Sequence, residues 1–214
     1  MAYNFNGFNQ SINTGFTPPV GANTRTLCAW FYCETFGDRK ILDYGATTGN
    51  GTAVGITLEQ VSSLPFVLFR HSSGNIRYAA KGLNVWQHVA LVVPFDGATT
   101  NDVIVYVDGL AVAGTRNAGS NYTLATTSTN LFVGAMTTGA SAFDGSVAEV
   151  GVWNVALTAD EIASLGKGVT CNLMRPQSLV FYAPLIRNLQ DVKSGSTLTN
   201  NNGAPVVAHP RVYK

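Results

Sequence analysis

The sequence is poor in charged residues. Only 12% of its 214 residues are Asp, Glu, Lys or Arg, and 13 basic against 12 acidic side chains give a formal net charge of +1. Globular proteins usually carry about twice that share of charge. Because the chain has no basic excess, we expect neither nucleic acid nor a membrane surface as a partner. It also lacks an apolar run long enough to cross a bilayer.

Cysteine is scarce as well. Cys28, Cys33 and Cys171 are the only three, and their spacing matches no zinc or redox motif. At least one is unpaired, and the sequence leaves the pairing of the others open, although free thiols packed as small hydrophobes are the simpler interpretation. The first 15 residues lack the basic start and apolar run of a signal peptide, so we expect synthesis in a cytoplasm without Sec export.

What the sequence does contain is alternation of apolar and polar residues between turns rich in Gly, Asn and Thr. Seven such segments occur, at 25–32, 52–59, 65–71, 86–94, 102–107, 131–134 and 146–153. Short alternating segments at this spacing predict an antiparallel β-sandwich. Asp108-Gly109 between two β-forming stretches predicts a tight hairpin, since both positions tolerate positive φ.

One helix is predicted. Thr158 and Glu161 form a capping box, in which each side chain accepts a hydrogen bond from the other residue's backbone N–H. Beyond this short helix, residues 179–185 are predicted to form a further strand, 195–203 a polar loop, and 209–214 a basic tail. We predict that residues 1–214 form a single domain.

Several segments resemble a known family. Residues 143–162, which begin Phe-Asp-Gly, resemble the C-terminal signature of laminin-G-like jelly rolls in the concanavalin A-like lectin/glucanase superfamily. The stretches 86–90 and 106–109 resemble two further blocks of that family in the same order. The resemblance covers about residues 1–170. It implies an all-β, two-sheet antiparallel jelly-roll β-sandwich whose concave face binds sugars in many relatives.

The order of the blocks departs from the family pattern. The Phe5-Asn6-Gly7 block opens this chain, whereas the family usually places another strand before it. Residues 179–185 resemble that missing opening strand. Because sandwich termini often lie close together, the strand can be moved from one end of the chain to the other. We therefore predict a circularly permuted jelly roll in which 179–185 pairs beside the N-terminal strand.

Catalytic and metal-binding motifs are missing. The nearest acidic pair, Asp144 and Glu149, falls on opposite faces of a regular strand, so no catalytic residues are predicted. Asp144 reads as a turn residue, and Glu149 as a solvated or loop-bonding one. Residues 134–142, where pentraxin-like relatives carry calcium-binding carboxylates, contain none, so no cofactor or metal is predicted. Calcium elsewhere, for instance near Asp96 or Asp108, stays open.

The candidate binding residues are aromatic and polar residues near turns, because sugar rings stack on exposed aromatic side chains. All three tryptophans fall within the family blocks, and we interpret Trp30, Trp86 and Trp153 as core residues. The predicted contact surface centres on Tyr78 with its neighbours. In full, the predicted ligand-binding residues are Tyr78, Arg77, Asn75, His71, Tyr44 and Tyr122.

These features favour a non-catalytic structural or recognition module. The first hypothesis is a bacteriophage virion protein: a capsid decoration, a head fibre or a tail-associated protein. It would lie on the virion surface and bind virion proteins, bacterial surface glycans or both, and the residues from His209 onward resemble the endings of phage-encoded relatives. The alternative is a secreted or cell-surface lectin, and the third is a glycoside hydrolase. The sequence does not fix the glycan or the oligomeric state.

Overall fold

The computed structural model describes residues 1–209, whereas residues 210–214 of the predicted tail lie outside the described residues. Within 1–209, sixteen β-strands form two antiparallel sheets and one α-helix follows Thr158. The predicted all-β jelly-roll sandwich is confirmed. No helix in this part of the chain is both long and apolar enough to span a bilayer. The single-domain extent of 1–214 stays a prediction.

The strands are short and joined by turns, as a chain rich in glycine allows. In chain order they are β1 (Ala2–Asn6), β2 (Ser11–Asn13), β3 (Arg25–Cys33), β4 (Arg39–Gly45), β5 (Ala53–Val61), β6 (Leu64–His71), β7 (Gly74–Ala79), β8 (Trp86–Val93), β9 (Ile104–Val107), β10 (Leu110–Val112), β11 (Gly114–Ala118), β12 (Phe132–Val133), β13 (Asp144–Trp153), β14 (Leu179–Ala183), β15 (Thr199–Asn201) and β16 (Val206–Val207). The helix is α1 (Ala159–Gly166), and a 3-10 turn covers Cys171–Leu173.

Each sheet contains eight strands. Sheet A has the order β10-β9-β8-β3-β13-β1-β16, and β14 also pairs with β13. Sheet B has the order β11-β7-β6-β5-β4-β12-β2-β15. In sheet A, β1 from the start of the chain pairs with β16 near its end.

Alternate residues of each strand point between the sheets and form the main core. On β3, Leu27, Ala29 and Phe31 are buried in this core, while Trp30 and Tyr32 point to the outer face of sheet A. The same alternation applies to sheet B. Side chains that could bind a ligand across a sheet are therefore those on the two outer faces.

Helix α1 covers part of the outer face of sheet A. It begins at the predicted capping box: Thr158 Oγ1 accepts from the Glu161 N–H, and the Thr158 N–H donates to Glu161 Oε2 over 2.7 Å. Ile162 and Leu165 then pack on Trp153 in a second apolar cluster. Cys28 and Cys171 belong to this cluster; their thiols are free, with the sulfurs 3.7 Å apart.

The late strand completes sheet A, but not in the predicted place. Residues 179–185 contain β14, which pairs with β13 and not with the N-terminal β1. The predicted pairing is wrong because β13 is ten residues long and accommodates two partners end to end. β1 pairs with its first half and β14 with its second half, on either side of a bulge at Glu149, whose φ is +52°.

All seven predicted segments contain strands, and the hairpin at Asp108-Gly109 has φ values of +50° and +81°, as a primed turn requires. Sequence reasoning missed β2, β4, β7, β11 and β16. It also assigned residues 195–203 to a loop, although β15 lies within them. Two of the missed strands of sheet B, β4 and β7, carry candidate site residues.

Candidate functional site

Charged and polar side chains converge on the outer face of sheet B. We call this set the polar face and define it as Asp38, Glu59, Arg70, Asn75 and Arg77. Arg70 stands directly opposite Asn75 in the pairing of β6 with β7. These two strands lie between β5 and β11, so each is hydrogen-bonded to a neighbour on both sides. The polar face thus rests on a rigid backbone.

Two ion pairs organise the polar face. Arg70 Nη1 lies 3.2 Å from Asp38 Oδ2, and these side chains are 39% and 48% exposed. Arg77 Nε lies 2.8 Å from Glu59 Oε2, and its guanidinium carbon sits 5.8 Å from the centre of the Phe66 ring. The face therefore presents hydrogen-bond donors and acceptors side by side, with one aromatic ring beneath them.

A buried charged pair supports this face from one side. Lys40 Nζ donates to Thr57 Oγ1 over 2.9 Å and lies 3.9 Å from Asp43 Oδ1, with both charged side chains almost fully buried. Burial lowers the pKa of Lys40 to about 8 and raises the pKa of Asp43 to about 6. The loop 134–142 folds over the pair, and the Thr137 N–H donates to Asp43 Oδ2 over 3.4 Å. This pair fixes the loop rather than meeting solvent.

The structure brings two of the predicted binding residues together. Arg77 and Asn75 both lie on the polar face, and Asn75 Oδ1 accepts from Asn117 of β11 over 3.1 Å. Tyr78, the predicted centre of the contact surface, does not lie there. It is only 4% exposed and points into the core, because it follows Arg77 on β7 and takes the next inward position after Ile76. A contact surface built on Tyr78 is therefore wrong.

The other predicted residues lie elsewhere. Tyr44 is fully buried between the sheets at an inward position of β4, so its predicted contact role is also wrong. His71 is 1% exposed, and its ring lies 5.8 Å from those of Phe69 and Tyr122. Desolvation, aided by Arg116, lowers the pKa of His71 to about 4, so it is neutral at physiological pH. Tyr122 is half-buried and packs edge-on against His71.

An aromatic surface occurs where sequence reasoning expected core. Trp30 and Trp86 are half-buried on the outer face of sheet A, so the prediction that they are core residues is wrong. Trp153 is fully buried, as predicted. We define Trp30, Tyr32 and Trp86 as the aromatic patch. Tyr32 stands opposite Trp86 in the pairing of β3 with β8, with ring centres 5.8 Å apart. The signal was available: Trp30 alternates out of phase with the inward-pointing Ala29 and Phe31.

The acidic pair considered for catalysis is separated and occupied. Glu149 is 5% exposed and its Oε2 accepts from the Tyr182 hydroxyl over 2.7 Å, so its interpretation as a solvated or loop-bonding residue is wrong. Burial at the β13 bulge raises its pKa to about 7. Asp144 begins β13 and accepts from the Thr35 hydroxyl over 2.5 Å. Neither carboxylate faces the other across an open cleft.

The carboxylates considered for calcium have protein donors. Asp96 Oδ1 accepts from the N–H and the hydroxyl of Thr24, each over 2.7 Å. Asp108 Oδ1 accepts from the His88 N–H, and its Oδ2 pairs with Lys81. Among residues 1–209, no three His, Cys, Asp or Glu side chains cluster as metal ligands would. The absence of a cofactor stays a prediction.

The laminin-G-type family within the concanavalin A-like lectin/glucanases superfamily matches residues 6–163. The match covers well over half of the 214 residues. The chain belongs to this superfamily. The matched part contains the polar face and the aromatic patch, while β14, β15 and β16 lie beyond it.

Two solved structures share this concanavalin A-like fold. A proposed carbohydrate-binding protein from Bacteroides ovatus has a TM-score of 0.59 and 19% identity, over 96% of this chain and 61% of that one. This chain thus spans about three fifths of the length of the Bacteroides protein. A heptameric SAP-like pentraxin from Limulus polyphemus has a TM-score of 0.55 and 16% identity, over 77% and 81% of the two chains. No curated protein sequence matches.

Proposed function

We propose that the chain is a non-catalytic carbohydrate-recognition module that binds glycans on the polar face. The observation that carries the proposal is two ion pairs on one sheet face, the exposed pair Arg70 with Asp38 and the half-buried pair Arg77 with Glu59. A sugar hydroxyl both donates and accepts hydrogen bonds. An arginine beside a carboxylate offers both partners at once, and charge-assisted hydrogen bonds are stronger than neutral ones.

The ligand is a neutral, hydroxyl-rich glycan. Each arginine of the polar face is already balanced by a carboxylate, so the face has little net attraction for an acidic sugar. Phe66 lies below Arg77 and supports its guanidinium from beneath. Affinity at one such shallow site is low, and several copies on one surface would raise it.

We propose no catalysis because of how the carboxylates are placed. Glycoside hydrolysis needs two carboxyl groups on opposite sides of the scissile bond, one of them protonated. Glu149 has the raised pKa of an acid, yet it is buried against Tyr182. Asp38 and Glu59 on the polar face are each engaged in an ion pair with an arginine.

Binding is tested with a glycan array probed by the wild-type chain, followed by calorimetry on the strongest neutral oligosaccharide. Arg70→Ala and Arg77→Ala should each weaken binding about tenfold, because each removes charge-assisted hydrogen bonds. Arg187→Ala is the matched control, since Arg187 is exposed outside the polar face. Binding by the Arg70→Ala/Arg77→Ala double variant at wild-type strength, or no binding to any glycan, would overturn the proposal.

For the biological setting we propose a bacteriophage virion, where the chain acts as a decoration, fibre or tail-associated protein on bacterial surface glycans. The low charge and the turns rich in Gly, Asn and Thr support an exposed passive module, and a particle supplies the many copies that weak binding needs. Mass spectrometry of purified particles should detect the chain at a fixed stoichiometry. Its recovery only in the secreted fraction would favour the alternative, a secreted lectin.

A further inference from the structure

The aromatic patch is an uncovered part of a face that is otherwise covered. On β3, the outward-pointing Cys28 lies in the cluster under α1, whereas Trp30 and Tyr32 lie beyond it and are half-exposed. Large aromatic side chains grouped on an open sheet face are unusual for a monomer and indicate a binding surface. The patch lies on sheet A, so it is distinct from the polar face of sheet B.

One flat ring already occupies this patch. Beyond β16, the chain crosses toward the patch, and the His209 ring centre lies 4.7 Å from that of Trp86 and 6.3 Å from that of Trp30. Both contacts are edge-on, with interplanar angles of 78° and 89°. The space beside the two indoles therefore accommodates a ring, and a sugar can stack there once the His209 ring leaves it.

Polar groups border the patch on one side, in register with it. Ser146 of β13 stands opposite Tyr32, and Asn4 of β1 stands opposite Ser146. The Asn4 amide donates to Ser146 Oγ over 3.1 Å and to Glu34 Oε1 over 2.9 Å, and Glu34 is exposed. An aromatic surface with a hydrogen-bonding border matches a pyranose ring, which has an apolar C–H face and hydroxyls around its edge.

We propose that the aromatic patch is a second glycan-binding site, which stacks a neutral hexopyranose on Trp30 and Trp86 and which His209 covers until the sugar displaces it. This site does not depend on the polar face. His209 contacts both indoles, so removing its ring should improve sugar binding by about fivefold. The described end of the chain thus acts as a weak intramolecular competitor.

The test is tryptophan fluorescence of the full chain titrated with cellohexaose, maltohexaose and chitohexaose. Because Trp153 is buried, a change on binding reports the two patch tryptophans. We expect wild type to respond to at least one of these oligosaccharides. His209→Ala should bind that probe about fivefold more tightly and should also be quenched more strongly by iodide. Trp86→Ala should abolish binding, and Trp86→Phe should restore part of it.

Phe8→Ala is the matched control, because Phe8 is an 81% exposed aromatic residue outside the patch. Melting temperature and far-UV dichroism establish that each variant is folded. Binding by Trp86→Ala at wild-type strength would overturn the proposal, as would no response of either wild type or His209→Ala to any probe. The Arg70→Ala/Arg77→Ala variant separates the two sites: it should keep the fluorescence response even if polar-face binding is lost or never existed.

Discussion

The outer face of sheet A has two halves made from the same strands, and one half is buried whereas the other is partly exposed. Where α1 and the 3-10 turn lie over the sheet, Trp153 and Cys28 are buried completely. Farther along the same strands, Trp30 and Trp86 stay half-exposed: they contact neighbouring rings of the same sheet and the ring of His209, but no helix within residues 1–209 covers them. The difference is coverage, since both halves present tryptophan on an outward-pointing position.

This comparison explains how one sheet face can serve two purposes. Under α1 the outer face is a second core, in which apolar burial stabilises the fold at about 25 cal/mol per Å². In the open half, the same residue type contributes less to stability and is accessible to a ligand. A covered tryptophan should therefore matter mainly for folding, and an open one mainly for binding.

The largest effect should come from the covered half. Trp153→Ala removes a fully buried indole whose Nε1 donates to the Met174 carbonyl over 2.7 Å. We expect the free energy of unfolding to fall by about 3–5 kcal/mol, as for other large-to-small core changes. Trp30→Ala in the open half should lower it by only about 1–2 kcal/mol, because less area is lost from burial. Urea denaturation followed by far-UV dichroism measures both.

If Trp153→Ala and Trp30→Ala lower the free energy of unfolding equally, the contrast between the two halves is wrong. Such a result would mean that the open half is covered in solution by something more extensive than the His209 ring. A large loss for Trp153→Ala alone would sharpen the comparison, since the binding experiments on the patch could then be interpreted without a stability correction.

Glu149, next to the covered half, should have the second largest effect. At high pH its replacement should change the free energy of unfolding by about as much as Trp153→Ala does. Its pKa of about 7 lies above the usual 4.5, chiefly because burial disfavours the charged form. The folded state therefore holds this proton to higher pH than the unfolded state, and wild type should lose stability as pH rises from about 4.5 to about 7. Glu149→Gln should remove that loss and be more stable above pH 7 by about 3 kcal/mol.

The measurement is the difference between Glu149→Gln and wild type in urea midpoints at pH 5, 6, 7 and 8. Asp43 also has a raised pKa, but it is present in both proteins, so it cancels in the difference. A difference that does not change with pH would show that the Glu149 carboxyl titrates normally, and the buried geometry around Tyr182 would then be wrong.

Much of the fold could be predicted from the sequence, because long alternating segments specify both strand and facing. Residues 146–153 predicted most of β13, and the Thr158 capping box predicted the start of α1. The pairing of β14 could not be predicted, since nothing in its own residues shows that β13 has room for two partners.

The site was predicted less well, and one cause is that β7 was not predicted. Gly74 and Asn75 are typical of a turn, which predicts that the residues after them are exposed. Instead β7 alternates, with Asn75 and Arg77 outward and Tyr78 inward. Trp30 was misassigned for a different reason. An outward position becomes core only if another element covers it, and the extent of that cover is a tertiary property.

The smallest effect tests whether the cap of α1 keeps the covered half covered. Thr158→Ala removes the hydroxyl that accepts from the Glu161 N–H, so we expect a loss of about 1 kcal/mol. Thr158→Ser keeps a hydroxyl at this position and should stay close to wild type. Hydrogen exchange shows where the structure loosens. The Ile162 and Leu165 amides should exchange faster in Thr158→Ala, whereas the exchange rates of the Trp30 and Trp86 amides should not change. If the patch amides also exchange faster, the two halves open together, and α1 is a support for the aromatic patch as well as a cover for Trp153.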